Sequence, residues 1–244
     1  MSTDHFSGHA ADYAKFRPGY PAALFDWLAA HTAGHDLAWD CGCGNGQASV
    51  PLAGRFERVV ATDLSPQQIA SAPHHPRIDF HAAPAETSGL PDRSADLVVV
   101  AQALHWFAFD RFYAEVRRVL RPGSLIAAWT YQLLRAEPAV DALLVDFYTD
   151  TLGPYWPPER KWVDTAYRDM PFPFEEVTPP TFEIHLRWTL PDLLAYLGTW
   201  SASQRFIAAR GHSPIPALGT RLQGVWGEDR RDIVWPIAMR AGRV

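Results

Sequence analysis

Two kinds of hydrophobic pattern alternate along the first half of the chain. Short strand-like runs occupy Leu37–Cys41, Arg58–Leu64, Ile78–Ala82, Asp96–Ala101 and Ser124–Tyr131, of which Asp96–Ala101 is continuously apolar. Runs of this length with no wet face suit strands buried on both sides, as in the middle of a parallel sheet. Between them lie stretches of helical period. One opens at Pro21 with Leu24, Trp27 and Leu28 as its stripe and Gly34 as its stop, and others cover Gln47–Ala53, Ser65–Ala72 and Phe109–Leu120. Proline is tolerated in a helix's first turn, and serine caps it, so Ser65-Pro66 reads as a helix start. Strand and helix in alternation predict a doubly wound α/β sheet.

The pattern changes after Leu133. Residues 137–180 carry a helical stripe (Val140, Leu143, Leu144, Phe147, Tyr148) among many prolines and read as a small helical cap insertion. Thr181–Thr189 alternates apolar and polar residues at period two, which predicts a strand with one wet face. Pro191–Trp200 reads as a helix and Ile233–Arg240 as a last strand. Residues 1–20, rich in aromatics, include Arg17-Pro18, which cannot continue a helix. They read either as a surface arm or as a lid. One domain over 1–244 is expected.

The glycines organise the chemistry. The first strand runs into Asp40-Cys41-Gly42-Cys43-Gly44-Asn45-Gly46-Gln47, and the second closes on Asp63. Strand, glycine turn and helix start, with an acid ending the next strand, make a nucleotide-cofactor site in which that acid can take ribose hydroxyls. The dinucleotide fingerprint needs a glycine where this chain has Gln47, and Gly46 stands one place early. The spacing therefore favours S-adenosylmethionine, although a nicotinamide-dependent oxidoreductase and a non-catalytic cofactor-binding protein remain alternatives. Gln102-Ala103-Leu104-His105-Trp106-Phe107 follows the fourth strand, where open α/β sheets bind ligands.

Composition narrows the partners. Of 244 residues, 48% are hydrophobic and 20% charged, which excludes a disordered chain. A net charge of −5 with no basic run disfavours nucleic acid. Cys41 and Cys43 stand alone as thiols, too few for a zinc site, and no other metal cluster is spaced in the sequence. They read as small fillers in a reducing compartment, and a cytoplasmic location with no membrane span is expected. No oligomeric state follows from the residues.

Taken together, Phe6-Ser7, Tyr13, Phe16-Arg17-Pro18, Tyr20-Pro21, the 40–47 loop, Ala61-Thr62-Asp63-Leu64-Ser65, Pro84-Ala85-Glu86 and 102–107 resemble class I S-adenosylmethionine-dependent methyltransferases, near the small-molecule trans-aconitate methyltransferase group. The resemblance implies a Rossmann-like, seven-stranded, mostly parallel sheet with an antiparallel last strand. It also implies site roles. Asp40 and Gly42 would take the methionine ammonium, Gly44 and Gly46 would leave room for the ribose and sulfonium, and Asp63 would hold the ribose. Leu64 would pack on the adenine, with Ala85 and Glu86 at its edge; Pro84 stands where many relatives have an acid. Gln102 and Trp106 would flank the methionine end, and Tyr13 and Arg17 would close over it. The implied activity is methylation of a small molecule at oxygen, including carboxylate oxygen, chiefly by proximity and orientation. His105 reads either as a base for a phenol or amine or as a buried, hydrogen-bonded support for Trp106. His105, Trp106, Arg17 and Arg205 are the candidate acceptor contacts, with surface exposure the alternative for Arg205.

Overall fold

A computed structural model describes residues 18–227 and 229–244. Tyr13, Arg17 and most of the expected lid lie outside the described residues. Helix α1 (Ala22–Ala30) leads into β1 (Leu37–Cys41), the short helix α2 (Ser49–Ala53), β2 (Arg58–Asp63), α3 (Pro66–Ala70) and β3 (Ile78–Ala82). Then come β4 (Ala95–Ala101), a single 3₁₀ turn (Leu104–Trp106), α4 (Phe109–Val119) and β5 (Leu120–Tyr131). Ser65 caps α3 as expected, its hydroxyl accepting the Gln68 N–H with Pro66 in the first turn.

The first five strands pair in parallel in the order β3-β2-β1-β4-β5. The order reverses between β1 and β4, which opens a crevice beyond their carboxyl ends. β4 shows why its sequence is apolar throughout. Leu97 and Val99 join the core on one face with Leu24, Phe25 and Trp129, while Val98 and Val100 join the other with Trp39, Phe112 and Val116. At its amino end, the Asp96 carboxylate accepts the N–H groups of Asp36 and Leu37 at 2.8 and 3.0 Å, setting the start of β1 beside it.

The second half continues as α5 (Pro138–Asp146), a π-helical turn (Phe147–Thr151), a 3₁₀ turn (Gly153–Tyr155), α6 (Arg160–Asp164), β6 (Glu175–Val177) and β7 (Phe182–Trp188). Helices α7 (Leu190–Gly198), α8 (Ser201–Arg210) and α9 (Ile215–Trp226) precede β8 (Arg231–Arg243). β8 runs antiparallel beside β5, as expected for the last strand. Among the described residues the sheet has eight strands, one more than the seven expected. The far edge of β8 is shared, with Glu175–Val177 opposite Arg243–Ala241 and Phe182–Trp188 opposite Ile237–Arg231. Between β6 and β7 stand Pro179-Pro180, which have no N–H to give a ladder, so the edge divides there.

Other boundaries differ from the sequence reading. α1 ends at Ala30, before Gly34, and buries Phe25 with Leu24 and Leu28 while Trp27 is half-buried. α9 has no counterpart in the sequence reading. The 137–180 stretch is helical in segments from Pro138 to Asp164, and its end joins the sheet as β6. No helix among the described residues is long and apolar enough to cross a membrane.

Candidate functional site

The glycine loop turns at the mouth of the crevice. Gly42, Gly44 and Gly46 have φ of 71°, 55° and 91°, a region that side chains with a Cβ avoid. Space adds a second reason at Gly42, where a Cβ would lie 2.6 Å from that of Ala103. Gly44 differs, because a Cβ there would meet only Gln68 Oε1, at 3.9 Å. Gly44 faces open crevice, as a position approached by a ligand should. The Gly42 and Cys43 N–H groups donate to the Thr62 carbonyl at 2.8 and 3.0 Å, tying the loop to the end of β2.

Asp63 ends that strand with both carboxylate oxygens engaged. Oδ2 accepts the Gly44 N–H at 2.8 Å, and Oδ1 accepts the Ser65 N–H at 2.9 Å. One acid therefore joins the loop to the start of α3. Each oxygen has a second lone pair, so the group can still accept hydroxyls from the crevice side. Leu64, next in the chain, is 42% exposed and lines the crevice.

Asp40 lies deeper. It is fully buried beneath the loop and does not reach the crevice wall. Its Oδ2 accepts the Ser49 hydroxyl at 2.6 Å, and its Oδ1 has no hydrogen-bond partner among the described residues. Burial pushes its carboxyl up to about 7, against the lowering effect of the Ser49 hydroxyl and with a further rise from the Asp63 charge. Cys41 and Cys43 are buried free thiols, and burial raises both well above the ordinary thiol range, as suits fillers.

The crevice holds about 1100 Å³ of open space, its mouth included. Of the expected contacts it brings together Gly42, Gly44, Asp63, Leu64, Ala85, Glu86, Gln102 and Trp106. Gly46 stands behind the wall, where its missing Cβ accommodates Phe80. Glu86 Oε1 accepts the Ala108 N–H at 3.0 Å. Gln102 takes a φ of 59°, rare for a residue with a side chain. The Thr130 hydroxyl donates to Gln102 Oε1 at 2.7 Å, and the buried Nε2 has no hydrogen-bond partner among the described residues. Sequence reasoning missed Gln68, Phe107 and Tyr131 as wall residues. Tyr131 could have been found, because it closes β5 beside the switch point.

A second cavity adjoins the first and shares Gln102, Trp106 and Tyr131 with it. Trp156, Tyr196 and Trp200 wall it, and His105 and Arg160 are its basic groups. The Arg160 guanidinium lies 4.5 Å from the Trp156 ring centroid, and its Nε donates to the Tyr148 hydroxyl at 2.6 Å. His105 Nδ1 lies 2.8 Å from the Tyr167 hydroxyl. Burial, and then the Arg160 charge, push the imidazole down to about 3, so it is neutral at physiological pH. Arg205 lies on α8 and lines neither cavity. Among the described residues no cluster of three or more His, Cys, Asp or Glu could hold a metal ion. Neither Arg160 nor Tyr167 carries a sequence signal that marks it for this site.

Known proteins resemble this chain in sequence and fold. A family profile described as a methyltransferase domain matches residues 39–128. A Dictyostelium discoideum protein named as a methyltransferase is 35% identical over 219 residues, 88% of this chain and 83% of that protein. The solved structure of a candidate type II methyltransferase from Anaeromyxobacter dehalogenans is 49% identical with a TM-score of 0.88, covering 93% of this chain and 98% of that one. A candidate methyltransferase from Bacillus halodurans shares the fold alone, at 18% identity and a TM-score of 0.52 over 91% and 97% of the two chains.

Proposed function

This chain belongs to the class I S-adenosylmethionine-dependent methyltransferases, and from that premise we propose that it methylates a carboxylate oxygen of a small molecule held in the second cavity. The cofactor fits the first cavity on the residues present. Asp63 brings a carboxylate to the crevice wall, where it can accept ribose hydroxyls, and the exposed Leu64 offers a flat apolar contact for a purine. Gly44 leaves open space, and Gln102 Nε2 supplies a donor with no partner among the described residues. Gly42 lines the crevice at the loop, whereas Asp40, expected to take the ammonium, is buried behind the loop and lies off the crevice wall. When bound, S-adenosylmethionine supplies a methyl group already activated by its sulfonium.

The chain's own residues then bind, orient and exclude water. The observation that carries the carboxylate reading is the pairing of Arg160 with a neutral His105 in the cavity that adjoins the crevice. A phenol with an ordinary pKa of ~10 needs a base to expose its lone pair. A histidine held near 3 is a poor base for that proton. A carboxylate is ionised at neutral pH and needs none, while a guanidinium balances its charge. Catalysis is then mainly proximity and orientation, worth up to ~7–11 kcal/mol in favourable cases. The stretch 137–180 supports the reading of an acceptor-side cap, because it contributes Trp156, Pro157 and Arg160 to this cavity.

The test is transfer of labelled methyl from S-adenosylmethionine into a metabolite extract. The expected product is a methyl ester, released by mild alkali, and Arg160→Gln lowers kcat/KM about tenfold or more through loss of a charge-assisted hydrogen bond. An alkali-stable methyl ether or methylamine would overturn the carboxylate reading, and absence of any methylated product would overturn the activity.

A further inference from the structure

A strained turn delivers a tyrosine to the second cavity. Ala166 and Tyr167 follow α6 with φ of 56° and 61°, two consecutive side-chain-bearing residues in the left-handed region. Such conformations are unfavourable for residues with a Cβ and persist where surrounding structure imposes them. The surroundings here are explicit. The Tyr167 N–H donates to the Trp162 carbonyl at 2.8 Å, and Arg240 donates to the carbonyls of Tyr167 and Met170 at 3.2 and 2.6 Å. The outcome is a fully buried ring whose hydroxyl meets His105 Nδ1 at 2.8 Å.

The chemistry of that contact sets a direction. A phenol is the stronger donor of the two groups, and the bare nitrogen of a neutral imidazole is the stronger acceptor. On that ground the hydroxyl is assigned as the donor to Nδ1, which puts the single ring proton on Nε2. Nε2 has no hydrogen-bond partner among the described residues and is not among the fully buried unpartnered atoms, on a side chain that lines the second cavity. We propose that Tyr167 is a positioning residue that locks His105 in the Nε2–H tautomer, so that His105 donates a hydrogen bond to the acceptor's oxygen beside Arg160 and does not abstract a proton. This deepens, and rests on, the reading of the second cavity as the acceptor site. It also gives the turn's strain a role, because the left-handed pair includes the residue whose hydroxyl meets Nδ1.

The tautomer can be read without turnover. In full-length protein labelled with ¹⁵N-histidine, the His105 signals are those among ten histidines that vanish in His105→Gln. Long-range ¹⁵N–¹H spectra between pH 6 and 8 are expected to show one neutral form with the proton on Nε2. Tyr167→Phe keeps the ring and removes the hydroxyl, and it is expected to give a mixture of tautomers. A wild-type proton on Nδ1, or a Tyr167→Phe spectrum unchanged from wild type, would overturn the proposal. If Tyr167→Phe does not fold, the wild-type spectrum alone decides. Benzoate, used as a carboxylate probe with S-adenosylhomocysteine present, separates this proposal from the activity. His105→Gln, which keeps an N–H donor, should bind benzoate within about threefold of wild type, while His105→Ala should lose about tenfold. Equal losses in the two variants would refute the donor role whether or not methyl esters form, and an Nε2–H tautomer without methyl transfer would leave the geometry standing and the activity refuted.

Discussion

Replacing Asp63 with alanine removes two different things at once, and their sizes can be separated. The carboxylate accepts the Gly44 and Ser65 N–H groups at 2.8 and 2.9 Å, so the substitution frees a loop amide and a helix-start amide. Hydrogen bonds to a charged group contribute about 1.5–3 kcal/mol each. Asp63 is only half-buried, so water can meet part of the freed demand, and a net stability loss of about 1–3 kcal/mol is expected. For a chain of this length that lowers Tm by about 2–12 °C. Asparagine is a sharp control. Its oxygen can accept one N–H, but its own NH₂ would face the other donor, so Asp63→Asn should destabilise nearly as much as alanine. Cofactor affinity, measured by calorimetry with S-adenosylmethionine, should fall about 10- to 150-fold in Asp63→Ala, the equivalent of about 1.4–3 kcal/mol. A variant with lowered Tm and wild-type affinity would make Asp63 a loop anchor only. One with wild-type Tm and wild-type affinity would refute both roles.

Two further substitutions probe the same loop. Gly42→Ala and Gly44→Ala share a left-handed backbone cost of about 1–2 kcal/mol. Only Gly42 adds a clash with Ala103, so chemical denaturation should find Gly42→Ala the less stable, while calorimetry should find cofactor binding impaired in Gly44→Ala although its fold is retained; equal stabilities would refute the packing argument. For Asp40 the sign follows from its raised pKa. The unfolded chain ionises this acid near its ordinary value, and the folded protein only near 7, so the cofactor-free protein loses stability between those two pH values as pH rises. Asp40→Asn lacks that penalty, and its Tm relative to wild type should climb from pH 4 to pH 7 and then level off; a difference flat with pH would show that Asp40 ionises normally.

The cofactor half of the molecule is legible because each of its signals is local. An apolar run ending in Asp40, glycines at every second position and a second run ending in Asp63 lie within one β-α-β unit. Short-range geometry is enough to bring them together. The second cavity depends on contacts between distant elements. Tyr167 reaches His105 through a left-handed turn made without glycine, which no residue type announces. Arg160 enters the second cavity from a five-residue helix too short to show a period. α9 begins at Ile215-Pro216 and contains Gly219 and Gly224, residues that read as breakers and mask its stripe. The eighth strand arises from Pro179-Pro180, which the sequence displays but whose effect shows only once β8 lies alongside. Arg205 illustrates the converse, since a basic residue near an aromatic motif proves to lie off both cavities.

The pairing of β7 with β8 has an architectural consequence. Trp188 at the end of one strand sits opposite Arg231 at the start of the other, so the chain leaves the sheet and returns to it at neighbouring points. Everything between, α7 to α9, is an excursion with its two feet together, and it supplies Tyr196, Trp200 and Ser201 to the second cavity. Such a segment can change length or sequence without altering strand order or the cofactor loop. If the second cavity holds the acceptor, as proposed, the cavity-facing residues of this excursion, Tyr196, Trp200 and Ser201, are where its wall can vary while the strand order and glycine loop stay fixed.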